Sequence, residues 1–339
     1  MTTSGHGLTE RLARAIATLA PIPSDEPVLV AVTPGLASLG DVFADAVRSL
    51  GGVASLVRLT DPPALATLDG HRIVIDVFET DALESPARTA WIRRALEDRD
   101  RILVHAPGIT NDTLRPGGPI DADPAELRRV SHHLRDALRG ATRLRLSTPA
   151  GTDLTVEVPG DRFCDDLVVA PGGMGNLPYG EVCAALVEST AEGVLVCDGT
   201  VDDLGPAGDR PLRLRIRGGR VARIEDGDPA MADRLADRLA VDGDAAVVGE
   251  IGFGINPLAR WTGFVLEDEK AARTAHVGLG ANGALPGGRC RSQSHLDLVV
   301  HLPTVEIESA AGRRELVLRH GEAAACTFQA PKIALDETR

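Results

Sequence analysis

The sequence predicts an α/β protein in two parts. An N-terminal α/β domain with a mostly parallel sheet is expected over residues 1–140, followed by a β-rich α+β domain over 141–339. Three observations carry this expectation. Short apolar runs alternate with amphipathic stretches through the first 110 residues, which is the signature of βαβ units. Near residues 140–145 the texture changes to alternating strands separated by turn residues. Acids and histidines next to glycines gather in the second part.

The elements follow in order. A helix is expected near 7–19, where Leu12, Ala15, Ile16 and Leu19 recur at helical spacing, with Thr9 or Ser4 as candidate caps. "PVLVAVTPG" reads as a buried strand ending in turn residues. "SLGDVFADAVRSLGG" reads as a helix stopped at Gly51 and Gly52. "VASLVRL", "RIVIDVF" and "RILVHAPG" are strands, with a helix at "SPARTAWIRRALED" between the last two. Side-by-side strands linked by helices form a parallel sheet. A further helix is expected at 124–139, capped by Asp123 or Asp121. "TRLRLSTPAGTDLTVEVPG" and "LRLRIRGGRVARIED" read as hairpins, the second turning at a Gly-Gly pair. One helix, "PAMADRLADRLAV", interrupts the remaining strands.

Composition narrows the function. The 339 residues are 43% hydrophobic, enough for a sizeable core, and carry a net charge of -13. A chain of that charge lacks the basic face that sequence-independent nucleic-acid binding requires. No apolar stretch is long enough to span a membrane. The N-terminal residues lack a signal-peptide pattern, so a cytoplasmic protein is expected. The five cysteines contain no CxxC pair and are odd in number, which argues against a disulfide framework or a zinc knuckle. No phosphate-binding glycine loop follows the first strand.

Three stretches hold the candidate chemistry. "GNLPYGEVCAALVES" carries Glu181. "VVGEIGFGINPLARWTGFVLEDEK" carries Glu250 and Glu269. "TAHVGLGANGALPGGRCRSQSHLDLVVH" carries His276, His295 and Asp297. In a strand His295 and Asp297 share a face. A lone H-x-D pair also occurs on ordinary solvated strand faces. Two histidines and an aspartate can make a three-ligand site with open positions. With Glu181 and Glu250 added, the donors suit two divalent ions that activate one water. His301 lies at the far end of the same strand and is left outside the set. His132 and His133 sit beside arginines on a helix and read as surface. His105 ends a strand, as a structural histidine or one facing a cleft.

"NLPYGEV", "GEIGFGINPLARWTGFVLEDEK", "HVGLG" and "SHLDL" occur in the order found in the leucyl aminopeptidase family typified by aminopeptidase T and aminopeptidase S, which the chain resembles over most of 165–305. The resemblance implies metal ligands at Glu181, Glu250, His276, His295 and Asp297, binding two divalent ions (zinc, cobalt or manganese). It implies a hydrolase acting on an amide or peptide-like bond of a small molecule or short peptide, a general base at Glu269 with Glu267 as competitor, and a homodimer. Lys270 or Arg260 would take a substrate carboxylate, unless both are ordinary surface cations. Two departures stand out. Where the family carries a tyrosine seven residues after the first histidine, this chain has Gly283, which leaves Tyr179 as the substitute candidate. The interval from His276 to His295 is shortened. The segments are also similar to those of 2,5-dihydroxypyridine 5,6-dioxygenase, a relative with one iron(II), for which His276, His295 and Asp297 would be the ligands. A degenerate binding protein is the third expectation, and Gly283 is its main support.

Overall fold

In a computed structural model, residues 3–59, 64–79 and 86–324 are described. The chain divides into two units. Residues 1–129 and 165–181 form the first, and 130–164 and 182–339 the second.

The first unit is built on a five-stranded parallel sheet: β1 (Pro27–Val32), β2 (Val53–Arg58), β3 (Ile73–Val77), β4 (Ile102–His105) and β8 (Met174–Asn176), in the order β2-β1-β3-β4-β8. β1 and β3 are buried almost throughout, as strands covered on both faces must be. Helices α1 (Thr3–Leu19), α2 (Ala37–Ser49) and α3 (Pro86–Glu97) link or flank them. α2 ends as expected: Gly51 adopts φ +90 and donates to Arg48 O, while Gly52 donates to Val47 O. α1 runs from Thr3, so Ser4 and Thr9 fall inside the helix and not at its N-cap position.

A single cut at 140 does not describe the chain. β8 returns to the first sheet beside β4, so residues 165–181 belong to the first unit. A Met-Gly-Asn strand has no apolar alternation to announce it. Its pairing is purely backbone, and a Cβ at Gly175 would lie 2.4 Å from Val169 Cγ2. Helix α4 (Pro124–Leu138) starts where expected, with the Asp123 carboxylate accepting from Ala125 N.

The second unit holds an eight-stranded sheet, ordered β14-β13-β10-β6-β5-β18-β19-β20. Its strands are β5 (Ala141–Ser147), β6 (Asp153–Glu157), β10 (Glu192–Cys197), β13 (Leu212–Arg217), β14 (Arg220–Asp226), β18 (Thr304–Ser309), β19 (Arg314–Arg319) and β20 (Glu322–Ala323). Both expected hairpins form, β5 with β6 and β13 with β14. Gly218 and Gly219 turn the second with φ of +54 and +71, the left-handed pair that matches strand twist. Helix α5 (Pro229–Leu239) is capped by Asp228, whose carboxylate accepts from Met231 N.

The second sheet of this unit carries the site. It runs β12-β11-β17-β16-β15-β9-β7, from β7 (Cys164–Asp165), β9 (Glu181–Ala185), β11 (Thr200–Val201), β12 (Gly205–Pro206), β15 (Val248–Gly254), β16 (Thr274–Gly280) and β17 (His295–His301). A short helix, α6 (Val265–Asp268), lies between β15 and β16. Cys164, Cys183, Cys197 and Cys290 are free thiols, and Cys326 lies outside the described residues. Among the described residues no helix is long and apolar enough to cross a membrane.

Candidate metal centre

The three central strands of this sheet are antiparallel and their register is fixed. Glu250 pairs with Gly278 and Gly252 with His276. Gly278 in turn pairs with Asp297, and Gly280 with His295. Residues directly opposite share a face. One face therefore presents Glu250, His276, His295 and Asp297, interleaved with Gly252, Gly254, Gly278 and Gly280.

The glycines are there because the face is crowded. A Cβ at Gly252 would lie 2.1 Å from His276 Cε1, and one at Gly278 would lie 2.7 Å from Glu250 Cβ and 3.0 Å from Asp297 Oδ1. At Gly254 it would lie 2.1 Å from Ala271 O and 2.7 Å from Glu269 O. "GEIGFG" and "HVGLG" thus clear a trough. The ligand side chains occupy one part of it, and the segment carrying Glu269 lies against the rest.

That segment is pinned by its own acids. Asn256 N donates to Lys270 O, and Ala272 N to Asn256 O. Glu267 Oε1 accepts from Arg260 N. The Asp268 carboxylate accepts from Thr262 N, Thr262 Oγ1 and Gly263 N, and also from Thr200 Oγ1 of β11. Glu267 and Asp268 hold the loop, while Glu269 points into the site.

Two donor groups result. Glu250, His295 and Asp297 each offer one atom within 4.8 Å of the others, as do Glu269, His276 and Asp297. Asp297 is common to both. His276 Nε2 stands 3.7 Å from Glu250 Oε1, and His295 Nε2 stands 3.8 Å from Glu250 Oε2. Those separations exceed hydrogen bonds. His295 Nδ1 donates to the Ala281 carbonyl at 2.6 Å, so its Nε2 is directed inward, 3.0 Å from Asp297 Oδ2. A carbonyl fixing one ring nitrogen is how ligating histidines are oriented.

Electrostatics match this arrangement. Desolvation opposes the charge on His295, yet the Asp297 and Glu250 carboxylates outweigh it and raise its pKa well above the usual histidine value. Desolvation likewise opposes the charge on Asp297, but His295, His276 and Lys270 hold its carboxyl well below the usual range. Lys270 is fully buried, with Nζ 2.6 Å from Glu269 Oε1. It is therefore not the surface cation the sequence allowed.

The donor set fits a divalent cation on two grounds. Asp297 Oδ1 is buried with no hydrogen-bond partner among the described residues, which is costly unless something binds it. Carboxylates and neutral-capable imidazoles are also the ligand types of such ions.

The other residues singled out in the sequence belong to neither donor group. Glu181 opens β9, at the point where the chain passes between the units, and its N–H donates to Asp166 Oδ1. It is buried and belongs to neither donor group. Tyr179 is in the first unit, where burial pushes its phenol pKa up against a hydrogen bond with Thr18. It borders a recess of about 500 Å³ lined also by Arg14, Asp121 and Arg128. Gly283 faces Arg291, with 3.2 Å from a built Cβ to Nη1. His105 is buried and its Nδ1 contacts the Asp76 carboxylate at 2.7 Å. His132 and His133 are exposed. His301 stacks on Trp261, with 3.8 Å between ring centroids.

One acid was missed. Asp202 follows β11, where Val201 pairs with Leu298. Burial pushes its carboxyl up to about 7, the Asp297 charge adds to the rise, and His295 opposes it. "TVDDLG" offers no pattern that separates it from a surface aspartate.

A glycine-cleared sheet face that gathers histidines and carboxylates into two donor groups is a candidate metal centre. A family model described as NicX, 2,5-dihydroxypyridine 5,6-dioxygenase, matches residues 41–311, and the chain belongs to that family. Among solved structures it is similar to the 2,5-dihydroxypyridine dioxygenase of Pseudomonas putida KT2440, with a TM-score of 0.72 at 17% identity, covering 96% of this chain and 99% of that one. It is also similar to wild-type AmpT from Thermus thermophilus, with a TM-score of 0.68 at 16% identity, covering 94% and 99%. At such identities the likeness concerns the fold. No curated protein matches in sequence.

Proposed function

We propose that the chain is a mononuclear iron(II) dioxygenase that opens a hydroxylated aromatic ring of the 2,5-dihydroxypyridine type, with His276, His295 and Asp297 as the ligands. The observation that carries this is that two histidines and one aspartate share one sheet face, each histidine having a ring nitrogen within 4.8 Å of an Asp297 oxygen, in a chain of the dioxygenase family. Two histidines and a carboxylate that leave positions open are the ligand set of non-haem iron oxygenases. Bound iron(II) would supply open positions for the substrate and for dioxygen.

The chain's own groups do the rest. The Ala281 carbonyl fixes the His295 tautomer, so that Nε2 faces the centre. Glu250 lies between the two imidazoles, with its carboxylate oxygens 3.7 Å from His276 Nε2 and 3.8 Å from His295 Nε2. Glu269 Oε2 takes the proton of a substrate hydroxyl, and the Lys270 ammonium at Oε1 stabilises that carboxylate in its charged form. The reading carries with it a small-molecule substrate and, from the resemblance, a homodimer.

A second reading is favoured by one specific feature. The two donor groups share Asp297, as a bridging carboxylate would be shared by two ions. This supports a two-metal hydrolase of the aminopeptidase type, with Glu250 and Glu181 as additional ligands and Glu269 as base. Metal analysis separates the two. Protein loaded anaerobically with iron(II) and desalted should hold about one iron per chain. Two ions per chain, retained equally with zinc or manganese, would favour the hydrolase.

A further inference from the structure

His295 is the least packed residue of the two donor groups' histidines. Its side chain is 41% exposed, against 1% for His276. It opens β17 at the end of a connection, residues 281–294, that leaves β16 after Gly280 and holds neither helix nor strand. Burial fixes the His276 ring. The His295 ring depends on the Ala281 carbonyl at its Nδ1, so its place is only as well defined as that connection. Long irregular segments take several conformations unless other contacts hold them.

The two ends of the connection are tied together, with Ala281 N donating to Ser294 O at 2.8 Å. A carboxylate from another loop holds the Ser294 end. Asp242, between α5 and β15, accepts from Gln293 N at 2.6 Å and from Ser292 Oγ at 3.0 Å. Ser292 Oγ in turn accepts from Ser294 N at 3.0 Å. A hydrogen-bonded path therefore runs from Asp242 through Ser292, Ser294 and Ala281 to His295. Asp242 also accepts from Asp244 N at 2.8 Å, which fixes the carboxylate within its own turn. Bonds to a charged carboxylate are about twice as strong as neutral ones. Gly280 completes the arrangement. Its φ is +88, and a Cβ there would lie 2.2 Å from Ser294 O, so glycine is what lets that carbonyl come against the end of β16.

We propose that Asp242 is a positioning residue of the metal centre, a latch on residues 292–294 that sets the Ala281 carbonyl and through it the His295 ring. The inference rests on the reading of this face as a metal centre. Asp242 belongs to neither donor group and acts only through the connection.

The probe is manganese(II) alone, titrated calorimetrically into the full chain as wild type, Asp242→Ala, Ser292→Ala and Asp228→Ala. Asp228→Ala removes the cap of α5, in the same unit and outside this path, and is the control for lost stability alone. Asp242→Ala and Ser292→Ala should each raise the Kd about three- to tenfold, below the roughly 10- to 100-fold of a group bonded directly to a ligand. The double variant should lose less than the two single losses combined, since both act through one path. In metal-free protein the His295 ring signals in NMR should shift in both variants and stay in place in Asp228→Ala. If Asp242→Ala does not fold, Ser292→Ala decides alone. A merely structural aspartate would lower the melting temperature, as Asp228→Ala does, and leave the Kd and the ring signals at wild-type values. That result would overturn the latch and leave the metal centre standing. Absence of manganese binding in the wild type would overturn the metal centre and the latch with it.

Discussion

Gly252→Ala should yield a protein that folds with reduced stability and no longer holds a divalent metal. The added Cβ would stand 2.1 Å from His276 Cε1 and 2.2 Å from its Nε2. The imidazole has nowhere to retreat, because it is buried between β15 and β17. Small-to-large changes in a packed interior cost about 1–3 kcal/mol. The larger effect is on the ring, whose displacement removes it from the donor group it shares with Glu269 and Asp297. Denaturant unfolding and manganese titration measure the two effects separately. Gly243→Ala is the control, since nothing lies within 4 Å of its built Cβ. A Gly252→Ala protein with unchanged metal affinity would show that His276 is not a ligand.

Asp297→Asn should have the largest effect on the centre, because Asp297 belongs to both donor groups. Losing a directly coordinating carboxylate should weaken metal binding by about 100-fold or more, beyond the 10- to 100-fold of outer contacts. The same change has a signature in the metal-free protein. The Asp297 carboxylate raises the pKa of His295 and hydrogen-bonds it. With the charge removed, desolvation is less opposed, and the imidazole should titrate at lower pH. Histidine titration by NMR reads this directly. An unmoved His295 resonance would mean that the two side chains are not coupled.

Much of the fold was legible because burial leaves a period in the sequence. β1 is an unbroken apolar run, β3 and β4 are broken only by Asp76 and His105, and β5–β6 and β13–β14 alternate with glycine turns, so both the parallel sheet and the hairpins could be read. β8 could not, since Met174-Gly175-Asn176 pairs by backbone and has no period. The site was legible where spacing equals geometry. His295 and Asp297 stand two apart on one strand and do share a face. Glu250 and His276 were legible through the family order alone, because antiparallel register is not written in either strand. The glycines were visible but unread. "GEIGFG" and "HVGLG" place glycine at alternate positions, and in neighbouring strands this strips one face bare. Glu269 and Glu267 could not be separated, since a helical turn of four residues, Val265–Asp268, decides which acid faces inward. Lys270 looked like a surface cation because its partner is the adjacent residue. Asp202 left no trace, as its neighbour Asp297 is 95 residues away.

Oxygen uptake with 2,5-dihydroxypyridine tests the central claim most directly. The chain is loaded with one iron(II) per site without air, mixed with the substrate, and exposed to dioxygen labelled with ¹⁸O. The account predicts consumption of one dioxygen per substrate, loss of the aromatic absorbance and both labelled atoms in the ring-opened product, with all three abolished in Asp297→Asn. Iron-loaded protein that leaves the ring and the dioxygen untouched, while its two-metal form cleaves an amide, would contradict it.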